Sequence, residues 1–272
     1  MAECPVIEAD ELEKRLGNSI IVDCRYSLSD PEYGLRAYLS GHIPGAHFLD
    51  LEKDLSGPKG RHGGRHPLPP PEQFREVIER IGGTESSEYV AYDDDLTGAS
   101  RFWFLCRYFG IRNVRVLNGG WEKWVREGRP VSTEVPSARR GHFQPHPAAG
   151  MVVDINWVRR MGRGYVLVDS RQRERYLGVH EAIDPKAGHI PGAVNIPYTA
   201  VTSGRGTLRP KEELEGVYRG LGGRPVVYCG SGVTACVNVL AMKLVGLDPL
   251  LYSGSWSDWV SYEDSPVATG EE

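Results

Sequence analysis

The six residues Gly41–Ala46, GHIPGA, recur as Gly188–Ala193, at an offset of 147. Three further anchors keep the same order. Val22-Asp23-Cys24-Arg25 matches Val168-Asp169-Ser170-Arg171 at offset 146. Tyr92-Asp93 matches Tyr228-Cys229 at 136, and Gly119-Gly120-Trp121 with Trp124 matches Gly254-Ser255-Trp256 with Trp259 at 135. Small drift between ordered anchors means duplication followed by changes in loop length. The period is far longer than that of a solenoid repeat, so the chain holds two copies of a domain. A length of 272 residues suits this. The first copy spans 1–130 and the second 151–272. Residues 131–150, with Pro136, Pro145 and Pro147 and no clear periodicity, form the linker.

Each copy reads as α/β. Asp10–Leu16 and Ile155–Met161 carry short helical patterns. The β-branched runs Ser19–Val22 and Tyr165–Val168 follow, and Glu88–Tyr92 and Pro225–Tyr228 form a second strand pair. Short apolar runs ending in polar turns suit buried parallel strands. A helix follows each second strand. In the second copy Val233, Val237, Leu240, Ala241 and Leu244 share one face; in the first, Phe102–Phe109 is apolar nearly all round. Gly110 and Gly246 close these helices. The strands Val114–Leu117 and Leu250–Tyr252 precede the Trp-containing segments. Strands alternating with helices predict a mainly parallel sheet with helices on both faces.

Composition narrows the function classes. Lys and Arg number 32 and Asp and Glu 36, a net charge of −4, which argues against a nucleic-acid or membrane-surface binder. No apolar run approaches a membrane span. Residues 1–5 lack a basic and an apolar signal region, so a cytoplasmic location is expected. Five cysteines, an odd number without a CxxC pair, suggest neither a disulfide framework nor a zinc site. The pairs His62/His66 and His142/His146 sit among Gly and Pro without a carboxylate or cysteine partner, so no metal is expected. Residues 54–71, rich in Gly and Pro, form a long irregular stretch of the first copy. Loops of this length are often functional.

The copies differ where chemistry is expected. After equivalent strands, the first has Asp93-Asp94-Asp95 and the second Cys229-Gly230-Ser231-Gly232-Val233-Thr234. The carboxyl end of a strand before a helix is where open α/β sheets bind ligands. Two glycines let backbone N–H groups turn inward, and a helix N-terminus favours negative charge. A cysteine there is expected to be a stabilised thiolate in an anion-binding loop. The plainer reading, a small buried hydrophobe, suits Cys24, Cys106 and Cys236, while Cys4 lies near the terminus. A cysteine phosphatase needs an arginine six positions after its cysteine; Ala235 stands there.

On GHIPGA, the terminal Gly-x-Trp-x-x-Trp pattern and the CGSGVTA loop of Cys229–Ala235, the chain resembles two-domain rhodanese-family sulfurtransferases along nearly its whole length. In such proteins Asp93 and the stretch Val116–Trp121 mark an inactive first domain. The loop resembles the mercaptopyruvate branch; the thiosulfate branch has Arg and Lys at the positions of Gly230 and Ser231. The resemblance implies two rhodanese-like domains and no cofactor. It implies transfer of a sulfane sulfur from 3-mercaptopyruvate, or alternatively thiosulfate, to cyanide, a small thiol or a thioredoxin-like acceptor. A non-enzymatic sulfur carrier is a further alternative. Cys229 would carry the persulfide, and the N–H groups of Gly230, Ser231, Gly232, Val233 and Thr234 would hold the transferred sulfur. Arg175 would bind the donor anion, and Arg171 would make a structural ion pair. The mercaptopyruvate branch carries another arginine slightly downstream, but here 178–184 is shorter and has none; Lys186 is a possible substitute. Ser231, His66 and Glu52, with Asp50 as another acid, match a serine–histidine–acid relay; His66 equally reads as a solvated loop histidine. His42 and His189, present in both copies, read as structural.

Overall fold

The computed structural model describes residues 4–204 and 206–271. Their contacts divide them into two compact units. The first takes the described residues of Met1–Gly57, Leu68–Ala148 and Ser203–Leu208, and the second those of Pro58–Pro67, Ala149–Thr202 and Arg209–Glu272.

The first unit contains strands β1 (Val6–Ile7), β2 (Ile20–Asp23), β3 (His47–Phe48), β4 (Tyr89–Tyr92) and β5 (Val114–Leu117). They form a parallel sheet of order β1-β5-β4-β2-β3. Its helices are α1 (Ala9–Glu13), α2 (Tyr33–Ser40), α3 (Pro71–Arg80), α4 (Thr97–Tyr108) and α5 (Gly120–Arg126). The second unit repeats this with β6 (Val152–Val153), β7 (Tyr165–Asp169), β8 (Val194–Asn195), β9 (Arg224–Tyr228) and β10 (Leu250–Tyr252), in the order β6-β10-β9-β7-β8. Its helices are α6 (Ile155–Arg159), α7 (Arg173–Tyr176), α8 (Lys211–Val217), α9 (Ala235–Leu244) and α10 (Ser255–Trp259). The registers coincide: Asp23 faces Tyr92 as Asp169 faces Tyr228.

Both faces of each sheet are covered, which is why β4 and the run Pro225–Tyr228 of β9 are apolar without alternation. Val90 and Tyr92 pack with Ala9, Leu12 and Trp124. Tyr89 points the other way, its ring 6.1 Å from Phe102, which leads to Phe74 and Phe109. In the second unit Val226 and Tyr228 pack with Ile155, Val158, Trp256 and Trp259. Helix α9 packs on β9 and β10 with Ala235 through Met242 all buried. The apolar run within α4 has the same cause: Phe102 through Cys106 are all buried.

The repeated motifs fasten strand ends to loops. Arg171 binds both carboxylate oxygens of Asp169, donates to the Gly188 carbonyl at 2.6 Å and lies 4.5 Å over the Trp256 ring. Arg25, Asp23, Gly41 and Trp121 repeat the arrangement. His42 and His189 stack on Tyr38 and Tyr176 and contact those residues' carbonyl oxygens through Nδ1. These buried histidines organise the GHIPGA turn.

The structure departs from the sequence-based expectation in several places. Helix α9 begins at Ala235, so Val233 belongs to the preceding loop. Helix α3 was not expected, although Phe74, Val77 and Ile78 have helical spacing and are buried. The Pro-rich stretch after Pro130 packs with the first unit up to Ala148, and Phe143 is fully buried edge-on to Phe74. Among the described residues no helix is long and apolar enough to cross a membrane, and no His, Cys, Asp and Glu cluster could hold a metal.

Candidate active site

Strand β9 ends at Tyr228, and the chain turns at once into the loop 229–234. Cys229 is buried, 1% exposed. Its N–H donates to Ser255 Oγ at 3.1 Å, and its carbonyl accepts the Trp256 N–H at 2.9 Å. Gly230 C=O accepts the Ser257 N–H at 2.9 Å. The loop is therefore held against the start of α10, which explains the spacing between the cysteine loop and the Gly-x-Trp segment. The Gly232 N–H donates to Cys229 Sγ at 3.1 Å. Gly232 has φ +79°, and a Cβ there would lie 2.2 Å from Ser253 O. No side chain fits in that space.

The first unit shows what this backbone shape binds. Asp93 occupies the position of Cys229. Its Oδ1 accepts the Leu96 N–H at 2.7 Å, and its Oδ2 accepts those of Gly98 and Ala99 at 2.7 and 3.1 Å. Leu96, with φ +73°, is the counterpart of Gly232. Burial and the nearby Asp95 charge push the Asp93 carboxyl well above the usual carboxylate range, against the pull of these N–H bonds. The loop thus wraps its own carboxyl group. In the second unit the equivalent donors are Gly232, Thr234 and Ala235. The first holds Sγ; among the described residues the other two donate to no protein acceptor. Backbone N–H groups converging at a helix start form a site for a negative group.

Residues 58–67 supply a further wall of the second unit. Gly63 N–H donates to Asp258 Oδ1 at 2.7 Å, and Arg65 N–H to Ser257 Oγ at 3.1 Å. The His62 ring stacks on Tyr262 at 3.9 Å. Gly64 approaches Gly254 O so closely that a Cβ would be 2.4 Å away. This anchoring buries His66, which is 2% exposed and has Nδ1 2.7 Å from Ser231 Oγ. His66 is not a solvated loop histidine.

Two guanidinium groups flank the loop. Arg175 donates through Nε and Nη2 to Glu181, and through Nη2 to Asp184 at 2.8 Å. Arg65 Nη1 pairs with the other oxygen of Asp184. A Cβ on Gly230 would lie 2.8 Å from Arg65 Nη2 and 3.4 Å from Arg175 Nη1. Burial raises the Asp184 carboxyl above its ordinary value despite the two arginines. Burial acts likewise on Glu181, but the Arg175 bonds and the Asp184 and Ile183 N–H groups more than offset it and hold Glu181 low.

The second unit thus brings together Cys229, Gly230, Ser231, Gly232, Val233, Thr234, Arg175 and His66. Glu52 belongs to the first unit, where it is exposed and its N–H donates to Asp50 Oδ1 at 2.8 Å. Lys186 is exposed, and its carbonyl accepts the Trp256 indole N–H. Sequence reasoning missed Arg65, Asp184 and Ser255. Arg65 adjoins His66, and Ser255 stands where the first copy has Gly120, so both carried a faint signal.

The model of the rhodanese-like domain matches residues 8–127 and 155–262. The chain belongs to the rhodanese-like family. A Pseudomonas aeruginosa protein named "Probable 3-mercaptopyruvate sulfurtransferase" is 41% identical over all of both chains. A thiosulfate sulfurtransferase of Rattus norvegicus is 31% identical, over 90% of this chain and 86% of its own. The solved structure of 3-mercaptopyruvate sulfurtransferase from Leishmania major superposes with a TM-score of 0.83 at 30% identity, covering 93% of this chain and 73% of that one. Within this rhodanese-like pair of units, the cysteine in the 229–235 loop distinguishes the second copy from the first.

Proposed function

We propose that the chain is a sulfurtransferase that takes sulfur from 3-mercaptopyruvate through a persulfide on Cys229. The observation that carries this reading is the loop comparison. Three N–H groups enclose the Asp93 carboxyl in the first unit; of their equivalents in the second, that of Gly232 holds the Cys229 sulfur, and those of Thr234 and Ala235 are spare donors beside it.

In the reaction, the Cys229 thiolate attacks the donor's sulfur. The new S–S bond forms as the C–S bond breaks, and its electron pair passes into the enolate of pyruvate. The enolate takes a proton to give pyruvate; Ser231 and His66, 2.7 Å apart, form the path that delivers it. The N–H groups of Gly232, Thr234 and Ala235 stabilise the charge on the outer sulfur. Cyanide or a thiolate then attacks that sulfur and returns Cys229 to the thiolate. Arg175, whose Nη1 faces Gly230, binds the donor's carboxylate. Every group in this scheme belongs to the protein or the two substrates.

Thiosulfate is the second reading, favoured by the two guanidinium groups beside Gly230, which also suit a sulfonate. Here the S–S bond of the donor breaks and sulfite leaves. The test is kcat/KM for both donors with cyanide, together with intact-mass measurement of one added sulfur. A preference for 3-mercaptopyruvate and loss of the added mass in Cys229→Ser are expected. A clear preference for thiosulfate reverses the order of donors. Labelling of Cys229 without turnover indicates a carrier, and no labelling by either donor refutes the persulfide.

A further inference from the structure

The segment 178–184 is short and holds no arginine beyond Arg175, yet a second guanidinium stands at the loop. We infer that Arg65 is a donor-binding residue, that it and Arg175 grip the donor's carboxylate together, and that Asp184 sets their spacing. This rests on the sulfurtransferase reading and assigns the substrate-recognition part of the same site.

Three observations converge. First, the free ends point to one place. Arg175 spends Nε and Nη2 on Glu181 and Asp184, and Arg65 spends Nη1 on Asp184. Arg175 Nη1 and Arg65 Nη2 remain, and both lie within 3.4 Å of the same point above Gly230. Two N–H ends aimed at one point match the two oxygens of a carboxylate. Second, Asp184 is built as a hub: its side chain is 2% exposed, and each oxygen takes a different arginine. A buried carboxylate between two arginines fixes their separation and lowers the entropy lost on binding. Third, Gly230 is explained. The space that a side chain there would fill is occupied by the Arg65 guanidinium. The chain places its cation from residues 58–67 and keeps position 230 empty to admit it. A merely structural Arg65–Asp184 pair would require neither the glycine nor a free Nη2.

The experiment measures KM and kcat for 3-mercaptopyruvate in Arg65→Ala, Arg65→Lys, Gly230→Ala and the Arg65→Ala/Gly230→Ala pair. Pyruvate protection of Cys229 against alkylation is followed in parallel and needs no turnover. Arg65→Ala is expected to raise KM and the half-protecting pyruvate concentration about tenfold, with kcat within about threefold. Arg65→Lys recovers part of the loss. Gly230→Ala displaces the guanidinium and adds nothing to Arg65→Ala, because both remove one interaction. Arg65→Gln serves as the neutral variant if Arg65→Ala does not fold. The inference is overturned if KM and pyruvate protection stay within twofold of the wild type while thermal stability falls, which is the mark of a structural pair. An inactive wild type still protected by pyruvate through Arg65 overturns the donor reading and leaves the carboxylate grip standing.

Discussion

Gly232→Ala isolates the geometric demand of the cysteine loop. Two costs apply. A non-glycine residue at φ +79° costs about 1–2 kcal/mol. The new Cβ also falls 2.2 Å from Ser253 O, a backbone atom that cannot swing aside. Reaching an ordinary contact requires a shift of roughly 1 Å, and overpacking of this kind costs about 1–3 kcal/mol. The sum, about 3 kcal/mol, corresponds to a drop of about 10 °C in the Tm of the second unit. The catalytic effect is of similar size. The same shift moves the N–H that now donates to Cys229 Sγ at 3.1 Å, and a misplacement near 1 Å reduces rates about a hundredfold. The assay is kcat/KM for 3-mercaptopyruvate with cyanide, beside a calorimetric melt. Leu96 is the internal comparison: its φ is +73°, and it carries a buried side chain. Left-handed backbone alone is therefore tolerated in this fold, and the Ser253 contact is decisive. Activity within threefold of the wild type, with an unchanged melt, would refute the reasoning.

Other outcomes follow from the same geometry. Arg171→Ala leaves Asp169, 0% exposed, without its bidentate partner and should cost about 3–5 kcal/mol in urea denaturation; a loss below about 1 kcal/mol would contradict the locking role. Ser255, with φ +58°, accepts the Cys229 N–H, so Ser255→Gly trades about 1 kcal/mol of relieved strain against a lost hydrogen bond. Its Tm should stay nearly constant while sulfur transfer falls about tenfold; an unchanged rate would remove Ser255 from the positioning of Cys229. Glu181 is held below its ordinary value of 4.5, so its ion pair with Arg175 stabilises the fold above that pH and is lost as pH falls through the lowered value. The Tm gap between wild type and Glu181→Gln should therefore close on acidification, and a gap that widens would show the opposite sign.

Sequence comparison within the chain revealed the duplication, the central strands and the divergent loop, because buried parallel strands leave short apolar runs and the anchors survive in order. The relation between Asp93 and Cys229 was legible for the same reason. Arg65 was not. Its contacts with Asp184 and Gly230 join residues more than a hundred positions apart, and no local periodicity encodes them. The burial of His66 likewise depends on Gly63 and Gly64 lying close along α10. A glycine-rich stretch predicts an irregular path and leaves its destination open. Helix α3 was legible in its apolar spacing but lay beyond the repeated anchors.

The allocation of residues 58–67 to the second unit bears on how such a gene can change. A half-length chain beginning near residue 150 would retain Cys229 and its loop but lack Arg65 and His66. The first copy has no cysteine at its loop, yet it encodes two of the groups beside the cysteine of the second. Loss or fission of the first half would therefore strip the reactive loop of its neighbours, which gives selection a direct reason to keep both copies joined.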